Sequence, residues 1–592
     1  MFLSLFFFTQ VPLKKRLLAV FSTAIVFLFL WASPALSQTL GVWVDVKSIP
    51  TTREGITALV AQLHEARFNA IFLESFYNGK SIYPSPFLAS LGLSPQMETF
   101  AQARIDPLRV FLDEAHRRGM EVHAWLHMFY ISRNEPGEIL TRFPHWAVLS
   151  KAGKPGYQSG TNFLFWLCPM EEEVEQFYRG LLEELAERYD LDGIQFDYFR
   201  FPEPTLADTC YAEKHRRAFL EQYGADPITI DPLKDGELAQ AWIRFRSGIL
   251  TELARNLTKS LKEKHPRLQL SCAVKPLGFP LMRYPGSLQD WPRWAEEGLF
   301  DFLVPMTYSS RPAEFEGMLL WAKTFAPDIP LLAGVWTVNL STATILEEME
   351  RSRKYLLKGL VFFAYPYLTA ETLQAIAAWK PEETLQRSIP PVSFYRENAR
   401  TVSARSTREK ITVDGKLTEK TWQEAPFEGS FTLLTGGTSE KKSEVAVRYD
   451  EKNLYLALRF EQFPHRENRF LKRDQPVFYE DSAEVYLDPF GNQGIFYQLA
   501  VNRSGSLYDS FSLTGPSWNG NWTVGTSEDG DTLTVEIAIA FVDLQREKPA
   551  EGEIWGINFY RNEPQDNFFS AFSPVPGVYA ASTLLGKLRF EK

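Results

Sequence analysis

Eight short apolar runs, separated by longer helix-like stretches, occupy the chain between Gly41 and Trp379. Alternation of β-type runs with helical segments is typical of βα units and a parallel sheet. Eight such units over about 340 residues predict a (β/α)8 TIM barrel with insertions. The predicted strands are Gly41–Val46, Asn69–Phe76, Glu121–Phe129, Gly193–Arg200, Leu268–Lys275, Phe300–Tyr308, Leu331–Thr337 and Leu360–Tyr367.

The pattern changes after a stretch rich in proline and charge, Lys380–Lys410. From Ile411 onward, short alternating runs are separated by Gly, Asp and Asn turns, a pattern that indicates an all-β sandwich. The predicted fold class is therefore α/β, a (β/α)8 TIM barrel followed by an all-β sandwich domain. We place the barrel at residues 38–380, a linker at 381–407 and the sandwich at 408–592.

The N-terminus has the features of a secretory signal peptide over residues 1–37. Basic Lys14–Arg16 precede the apolar run Leu17–Trp31, and Ala35–Ser37 supply the small residues of a cleavage site. This predicts a secreted, periplasmic or cell-envelope protein. The apolar stretch Phe2–Phe8 leaves an uncleaved anchor open as an alternative. No apolar run of about 18 residues follows Ser37, so no stable membrane span is expected after cleavage.

Net charge and cysteine content exclude several kinds of partner and of stabilising site. The formal net charge is −10, so no basic surface favours nucleic acid or anionic lipid. The 14% aromatic content makes sugar-binding surfaces worth seeking. Cys168, Cys210 and Cys272 form an odd set at wide spacing, which argues against both a disulfide framework and a CxxC metal site.

Barrel active sites lie at the C-terminal ends of the strands, and side-chain alternation shows which residues face inward there. In Gly193–Tyr198, apolar Ile194, Phe196 and Tyr198 are expected to face the helices, which directs Gln195 and Asp197 into the barrel. The same argument directs four further residues inward: Asp45, Glu74, His127 and Lys275.

Glycoside hydrolysis needs two carboxyl groups across a pocket, one to protonate the leaving oxygen and one to attack the anomeric carbon or activate water. Asp197 and Glu74 are the preferred catalytic pair because the second and fourth strands are not adjacent and can face each other. Asp45 is the reserve partner. The residue that donates the proton is left open, and the carboxylate separation would distinguish retaining from inverting chemistry.

Further residues at the strand ends could bind substrate through aromatic stacking, hydrogen bonds or charge. His123 and His127 could instead be core histidines, and no HExxH spacing supports a metal site, so no metal or other cofactor is predicted. The predicted substrate-binding residues are Asp45, Trp125, His127, Gln195, Arg200, Lys275, Tyr308, Trp336 and Tyr365.

At these positions the barrel resembles the glycosyl-hydrolase-like family 10 proteins. The matching segments are Gly41–Val44, Asp106–Trp125, Tyr189–Pro202, which contains DGIQFDYFRFP, and Phe300–Ser309. The resemblance implies a glycan-cleaving barrel in which Asp197 is a nucleophile or electrostatic stabiliser, acting on bacterial cell-wall glycan. The sequence departs from the family pattern at Met306 and at His127, where relatives often have Gln and Asn.

The C-terminal region resembles a family 9 carbohydrate-binding module. Ile411–Trp422, Tyr479–Asn492 and Trp555–Glu563 carry the resemblance. It implies a sandwich that grips sugar between aromatic faces, for which Tyr479, Trp518 and Trp522 are the candidate platforms. Acidic residues such as Asp481 and Asp488 permit the structural calcium ion that related modules hold.

Together these features predict an exported glycoside hydrolase that cleaves O-glycosyl bonds of peptidoglycan strands or another polysaccharide, with a sugar-binding accessory domain. Two alternatives remain at this stage. One is a non-catalytic glycan-binding protein of the cell envelope, and the other is a barrel deacetylase or lyase.

Overall fold

The computed structural model describes residues 38–159, 161–202, 209–277, 287–380, 387–492, 494–514, 518–577 and 582–592. The predicted signal peptide, residues 1–37, lies outside these ranges. Within them, the search for a helix both long and apolar enough to cross a membrane finds none.

Eight parallel strands form the first domain, and each overlaps one of the predicted runs. They hydrogen-bond in the order β6-β5-β4-β3-β2-β1-β8-β7, and a bridge between Leu303 and Leu331 joins β6 to β7. The predicted closed (β/α)8 barrel is therefore confirmed. The strands are β1 (Thr39–Val44), β2 (Ala70–Tyr77), β3 (Glu121–His127), β4 (Gly193–Asp197), β5 (Gln269–Val274), β6 (Phe302–Pro305), β7 (Leu332–Trp336) and β8 (Gly359–Phe363).

Each strand is followed by a helix that covers the outside of the barrel, in some cases after shorter inserted helices. The second helix begins at Pro107, because Asp106 caps it by accepting the Arg109 N–H at 3.2 Å and Pro107 is favoured in the first turn. The helices are α1 (Arg53–Glu65), α2 (Pro107–His116), α3 (Glu172–Arg188), α4 (Gly236–Lys264), α5 (Trp291–Glu296), α6 (Pro312–Phe325), α7 (Thr342–Ser352) and α8 (Ala370–Ala378).

Insertions enlarge the C-terminal end of the barrel. The segment between β3 and α3 forms a three-stranded antiparallel sheet from Tyr130–Arg133, Tyr157–Ser159 and Asn162–Trp166. A short strand, Lys80–Ser81, pairs with β2. Short helices complete the insertions: Pro86–Ser90, Glu98–Ala103, Gly137–Arg142 and Glu213–Tyr223.

The barrel interior is filled by large apolar side chains from alternate strand positions. Trp43, Phe72, Trp125, Phe302 and Val361 belong to this inner cluster, whereas residues of β4 such as Ile194 and Phe196 pack in the outer core beneath the helices. Alternation along each strand therefore separates two cores, as expected for a barrel.

The second domain consists of twelve strands in one continuous sheet that curls on itself, with the apolar residues of its strands in the buried core. Its first strand, Thr401–Ser406, pairs in parallel with Ser443–Tyr449 and Gly586–Glu591. The predicted linker boundary at 407 is thus too late, since this strand is part of the domain, and a helix, Val392–Glu397, precedes it.

The other strands of this all-β domain are Thr432–Leu433, Asn453–Phe460, Ser482–Asp488, Tyr497–Asn502, Leu507–Phe511, Trp522–Asp529, Thr532–Ala540, Ile554–Glu563 and Phe568–Ala571, and a short helix spans Lys420–Gln423.

Candidate active site

Two buried carboxyl groups flank one imidazole at the C-terminal end of the barrel. Glu74 lies in β2, His127 ends β3 and Asp197 ends β4. His127 Nε2 lies 3.1 Å from Glu74 Oε1 and 3.8 Å from Asp197 Oδ2. Because both oxygens are measured from the same nitrogen, they are separated by no more than the sum of these distances, 6.9 Å.

Asp197 is surrounded by N–H donors. Its Oδ2 accepts a hydrogen bond from Trp125 Nε1 at 3.1 Å, and its Oδ1 accepts one from the Tyr198 backbone N–H at 2.6 Å. The Arg200 guanidinium lies 3.5 Å from the same Oδ1. Both oxygens of the Asp197 carboxyl group are therefore hydrogen-bond acceptors.

Glu74 has fewer hydrogen-bond donors around it than Asp197 has. Its Oε2 accepts the Val46 backbone N–H at 2.6 Å. Burial raises the pKa of Glu74 from 4.5 to about 8; the Val46 hydrogen bond opposes this rise, and the charges of Asp45 and Asp197 add to it. Glu74 is therefore protonated at neutral pH and can donate a proton.

His127 lies between the carboxyl groups without completing a hydrogen bond to either. The 3.1 Å contact to Glu74 has the distance of a hydrogen bond but not its alignment, and neither ring nitrogen finds a partner within the described residues. Burial lowers the pKa of His127 to about 4, although the Asp197 charge opposes this. The imidazole is thus neutral at pH 7.

Half-buried aromatic rings border the site on two sides. On one side, Trp336 stacks on Phe363 at 5.4 Å and contacts Tyr308 at 5.0 Å between ring centroids. On the other, Tyr77 and Tyr198 contact His127 at 5.1 and 4.6 Å. Rings exposed on one face are suited to stacking on sugars.

Tyr198 lies in this wall contrary to the expectation that it faces the helices. Strand β4 ends at Asp197, and Tyr198 adopts a φ of 51°, which interrupts the alternation. Its ring therefore turns toward His127, and the Arg200 guanidinium lies 4.2 Å above the ring centroid.

Several predicted substrate-binding residues are placed where they act on other side chains. Trp125 is 2% exposed and offers its N–H to Asp197 rather than a free ring face. Gln195 is fully buried and accepts Trp43 Nε1 at 2.6 Å. Asp45 Oδ1 accepts the Ser48 backbone N–H at 3.0 Å and thereby caps a short helical turn.

Lys275 directly follows β5, and Tyr365 lies away from the site. The backbone N–H of Lys275 donates to Gln289 Oε1 at 2.9 Å, and its carbonyl accepts Trp291 Nε1 at 2.9 Å. The Tyr365 hydroxyl donates to Gln62 Oε1 of α1 at 2.9 Å. Tyr365 therefore faces the helical layer, because the chain has left β8 at Phe363 and turned outward.

The candidate sugar platforms of the sandwich differ in exposure. Trp518 and Trp522 are 8% and 5% exposed, and Trp522 Nε1 donates to Asp509 at 2.9 Å, so both rings belong to the core and their prediction as platforms is wrong. Tyr479 is 49% exposed, with the barrel residue Arg311 5.6 Å from its ring centroid.

The two carboxylates considered for calcium both have protein partners. Asp481 accepts hydrogen bonds from Arg466 at 3.1 and 3.2 Å, and Asp488 accepts the N–H groups of Phe490 and Gly491 at 2.9 and 2.8 Å.

Further aromatic residues near the site come from positions that the sequence did not indicate. Tyr130 and Trp166 come from the three-stranded insertion, and their rings contact Tyr198 at 5.2 and 5.6 Å. Inspection of the strand ends could not predict these two residues, because it does not show where an inserted sheet lies relative to the barrel mouth. Phe363 could have been found, since alternation along β8 directs it inward beside Val361.

A (β/α)8 barrel with paired carboxyl groups at its mouth, joined to a sandwich, defines a protein of the glycoside hydrolase type. Residues 38–330 match the family Glycosyl hydrolase-like 10, and residues 413–570 match Carbohydrate family 9 binding domain-like. The barrel is thus similar to the Glycosyl hydrolase-like 10 family and the second domain to the Carbohydrate family 9 binding domain-like family, so both resemblances seen in the sequence are confirmed.

Two curated relatives match about half of this chain. Glycosyl hydrolase DigH of Escherichia coli strain K12 is 27% identical over 322 residues, which cover 47% of this chain and 66% of that protein. Glycosyl hydrolase YngK of Bacillus subtilis strain 168 is 21% identical over 280 residues, covering 44% and 50%.

Among solved structures, the β-amylase catalytic domain of Paenibacillus polymyxa has a TM-score of 0.42 at 11% identity, covering 57% of this chain and 94% of that one. A family 9 carbohydrate-binding module from Caldicellulosiruptor kristjanssonii, in complex with glucose, has a TM-score of 0.26 at 15% identity, covering 32% and 96%.

Proposed function

We propose that this protein hydrolyses glycosidic bonds with Glu74 as the proton donor and Asp197 as the nucleophile. The observation that carries the proposal is the pairing of two buried carboxyl groups in opposite environments. Glu74 is protonated at neutral pH because burial raises its pKa to about 8, whereas Asp197 receives N–H donors from Trp125, Tyr198 and Arg200. Such a division supplies an acid and a base at one pH.

In the first step, Asp197 attacks the anomeric carbon while the bond to the leaving oxygen breaks and Glu74 passes its proton to that oxygen. The product is a glycosyl ester on Asp197. In the second step, ionised Glu74 takes a proton from water, the water oxygen attacks the anomeric carbon, and the ester bond to Asp197 breaks. The Arg200 cation 3.5 Å from Asp197 stabilises the carboxylate that leaves.

The separation of the carboxyl groups favours retention of anomeric configuration. Retaining enzymes place the two groups about 5–5.5 Å apart, and inverting enzymes about 6.5–9.5 Å. The 6.9 Å upper limit set by the contacts of Glu74 and Asp197 with His127 lies below most of the inverting range.

The proposed substrate is a polysaccharide, with peptidoglycan glycan strands as the first candidate, and the proposed location is outside the cytoplasmic membrane. The signal-like N-terminus supports export. The half-buried rings of Tyr77, Tyr198, Tyr308, Trp336 and Phe363 supply stacking faces for a chain of sugars. The family 9-like domain supports a polymeric substrate, because tethering raises its local concentration.

The test is release of reducing ends from amidase-treated peptidoglycan and a panel of plant and bacterial polysaccharides. The protein beginning at residue 38 is compared with Asp197→Asn and Asp45→Asn. We expect Asp197→Asn to lose at least about 10³-fold in kcat, because the variant lacks the nucleophile. Asp45→Asn should retain most activity, since Asp45 serves a turn.

Product anomers followed by NMR should show retained configuration. Full activity in Asp197→Asn would overturn the assignment, and binding without cleavage by every protein on every glycan would favour the non-catalytic glycan-binding function.

A further inference from the structure

Two of the three cysteines meet in a buried position beside the barrel mouth. Cys168 follows the inserted strand Asn162–Trp166, and Cys210 lies 42 residues further along the chain. Their sulfurs are 2.9 Å apart, and the side chains are 1% and 0% exposed. The third cysteine, Cys272, lies in β5.

A histidine and a carboxylate extend from this pair. His215 Nδ1 lies 4.0 Å from Cys168 Sγ, and His215 Nε2 lies 3.3 Å from Glu171 Oε1. Glu171 also receives the Lys214 ammonium. All three residues of the chain from Cys168 through His215 to Glu171 are buried.

This arrangement favours a thiolate at Cys168. Burial alone would raise the pKa of Cys168, but hydrogen bonds from Cys210 and His215 and the His215 charge lower it to about 6. The pKa of His215 is raised, because the contacts with Cys168 and Glu171 outweigh burial. The pKa of Cys210 lies well above its usual value, owing to burial and then to Cys168. One sulfur is thus the nucleophile and the other a proton donor.

The geometry fits a sulfur–sulfur bond better than a metal ion. Two sulfurs bound to one tetrahedral zinc ion, each about 2.3 Å from it, lie about 3.8 Å apart, whereas Cys168 and Cys210 are 2.9 Å apart. The ligand atoms of Cys168, Glu171 and His215 lie within 4.8 Å of one another. The His215 imidazole lies between Cys168 and Glu171, with Nδ1 on the Cys168 side and Nε2 on the Glu171 side.

We propose that Cys168 and Cys210 form an intramolecular disulfide by exchange with a disulfide-bearing oxidant. The Cys168 thiolate attacks one sulfur of the oxidant, whose S–S bond breaks and releases a thiolate. Cys210 then gives up its proton and attacks Cys168 Sγ, which expels the second thiolate. One S–S bond forms and one breaks, two electrons pass to the oxidant, and the two thiol protons end on the released thiolates.

The bond would join two segments that support the candidate active site. On the Cys168 side, Trp166 donates its indole N–H to the Arg200 carbonyl at 2.9 Å. On the Cys210 side, fully buried Arg246 of α4 donates to the carbonyl and hydroxyl of Thr209 at 3.2 and 3.1 Å. The disulfide therefore closes a long loop that contains β4 and Asp197, and closing a long loop disfavours the unfolded chain.

The experiment uses the full chain from residue 38, incubated with oxidised glutathione and, in parallel, unfolded and refolded in the same buffer. Free thiols are then alkylated in denaturant and the peptides identified by mass spectrometry. We expect a Cys168–Cys210 cross-linked peptide and a single alkylated cysteine, Cys272. The cross-linked protein should melt several degrees above its dithiothreitol-reduced form.

Two variants make the result specific. Cys272→Ser should keep the cross-link and the melting difference, and Cys210→Ser should lose both. His215→Gln should form the cross-link more slowly at pH 7 than at pH 9, where Cys168 ionises without the imidazole. Three alkylated cysteines under both conditions would overturn the proposal, as would one tightly bound zinc ion per chain with all thiols reduced.

Discussion

The barrel mouth and the sandwich both bury carboxyl groups, but they satisfy them differently. In the sandwich, Glu536 accepts the backbone N–H groups of Asp414 and Gly415 and the indole N–H of Trp422, at 3.0, 3.1 and 2.7 Å. In the mouth, Glu74 accepts one backbone N–H and faces His127, whose ring nitrogens complete no hydrogen bond within the described residues.

The same contrast holds for buried charge. Glu563 lies 2.6 Å from Arg561, both side chains are fully buried, and Lys441 reaches the same carboxylate. These partners offset the cost of desolvation, so the sandwich carboxylates stabilise the fold. Glu74 is neutral instead, because burial raises its pKa to about 8. The His127 ring beside it has no hydrogen-bond partner within the described residues, and an unsatisfied buried polar group is typical of a reactive site. Glu74 therefore differs from Glu563 in the groups that surround it and not in its burial.

The largest expected effect is on catalysis. Glu74→Gln should lower kcat roughly 10²- to 10⁴-fold at pH 7, because the proton donor is lost, while unfolding in urea should show no loss of stability. Glu221→Gln, on the exposed face of the helix Glu213–Tyr223, is the matched control and should leave kcat unchanged. If Glu74→Gln kept full activity, Glu74 would have no catalytic role that distinguishes it from the structural carboxylates of the sandwich.

The next effect is the pH dependence of stability that Glu74 at the barrel mouth contributes. An unperturbed Glu titrates near 4.5, whereas Glu74 in the folded protein titrates near 8. Between these values the folded state binds more protons, so the stability contributed by protonated Glu74 is complete below pH 4.5 and is lost as pH rises toward 8.

Glu74→Gln lacks this loss. We expect the variant to gain stability over the wild type as pH rises from 4.5 to 8, by on the order of 4 kcal/mol. Urea unfolding at half-unit pH steps measures the difference, and a constant difference across this range would contradict the raised pKa.

The smallest effect concerns the sandwich. Arg561→Met should destabilise that domain by about 2–3 kcal/mol, less than the 3–5 kcal/mol typical of a broken buried pair, because Lys441 remains beside Glu563. Activity on soluble oligosaccharides should be unchanged, since the variant leaves Glu74 and Asp197 intact. Lys442→Met, next to Lys441 on the exposed surface, is the control. A loss of kcat equal to that of Glu74→Gln would mean that the sandwich takes part in the chemistry.

Local patterning determined much of this protein. Apolar runs alternating with helical stretches predict the eight barrel strands, and the two-residue period along β4 predicts that Gln195 and Asp197 face inward. These features follow from the backbone geometry of each element, so they can be predicted without knowledge of the partners. The change to short strands after Ile411 predicts the second domain in the same way.

Only the tertiary structure decided which side chains meet. Alternation along β3 directs His127 inward, but its position between Glu74 and Asp197 depends on how three strands pack. Trp522 is one more aromatic residue in the sequence, and only packing against the core makes it unavailable to sugar. Widely spaced Cys168 and Cys210 argue against a disulfide in sequence, yet folding brings their sulfurs together. A period along one strand specifies a face, whereas a distance between strands depends on the packing of the whole domain.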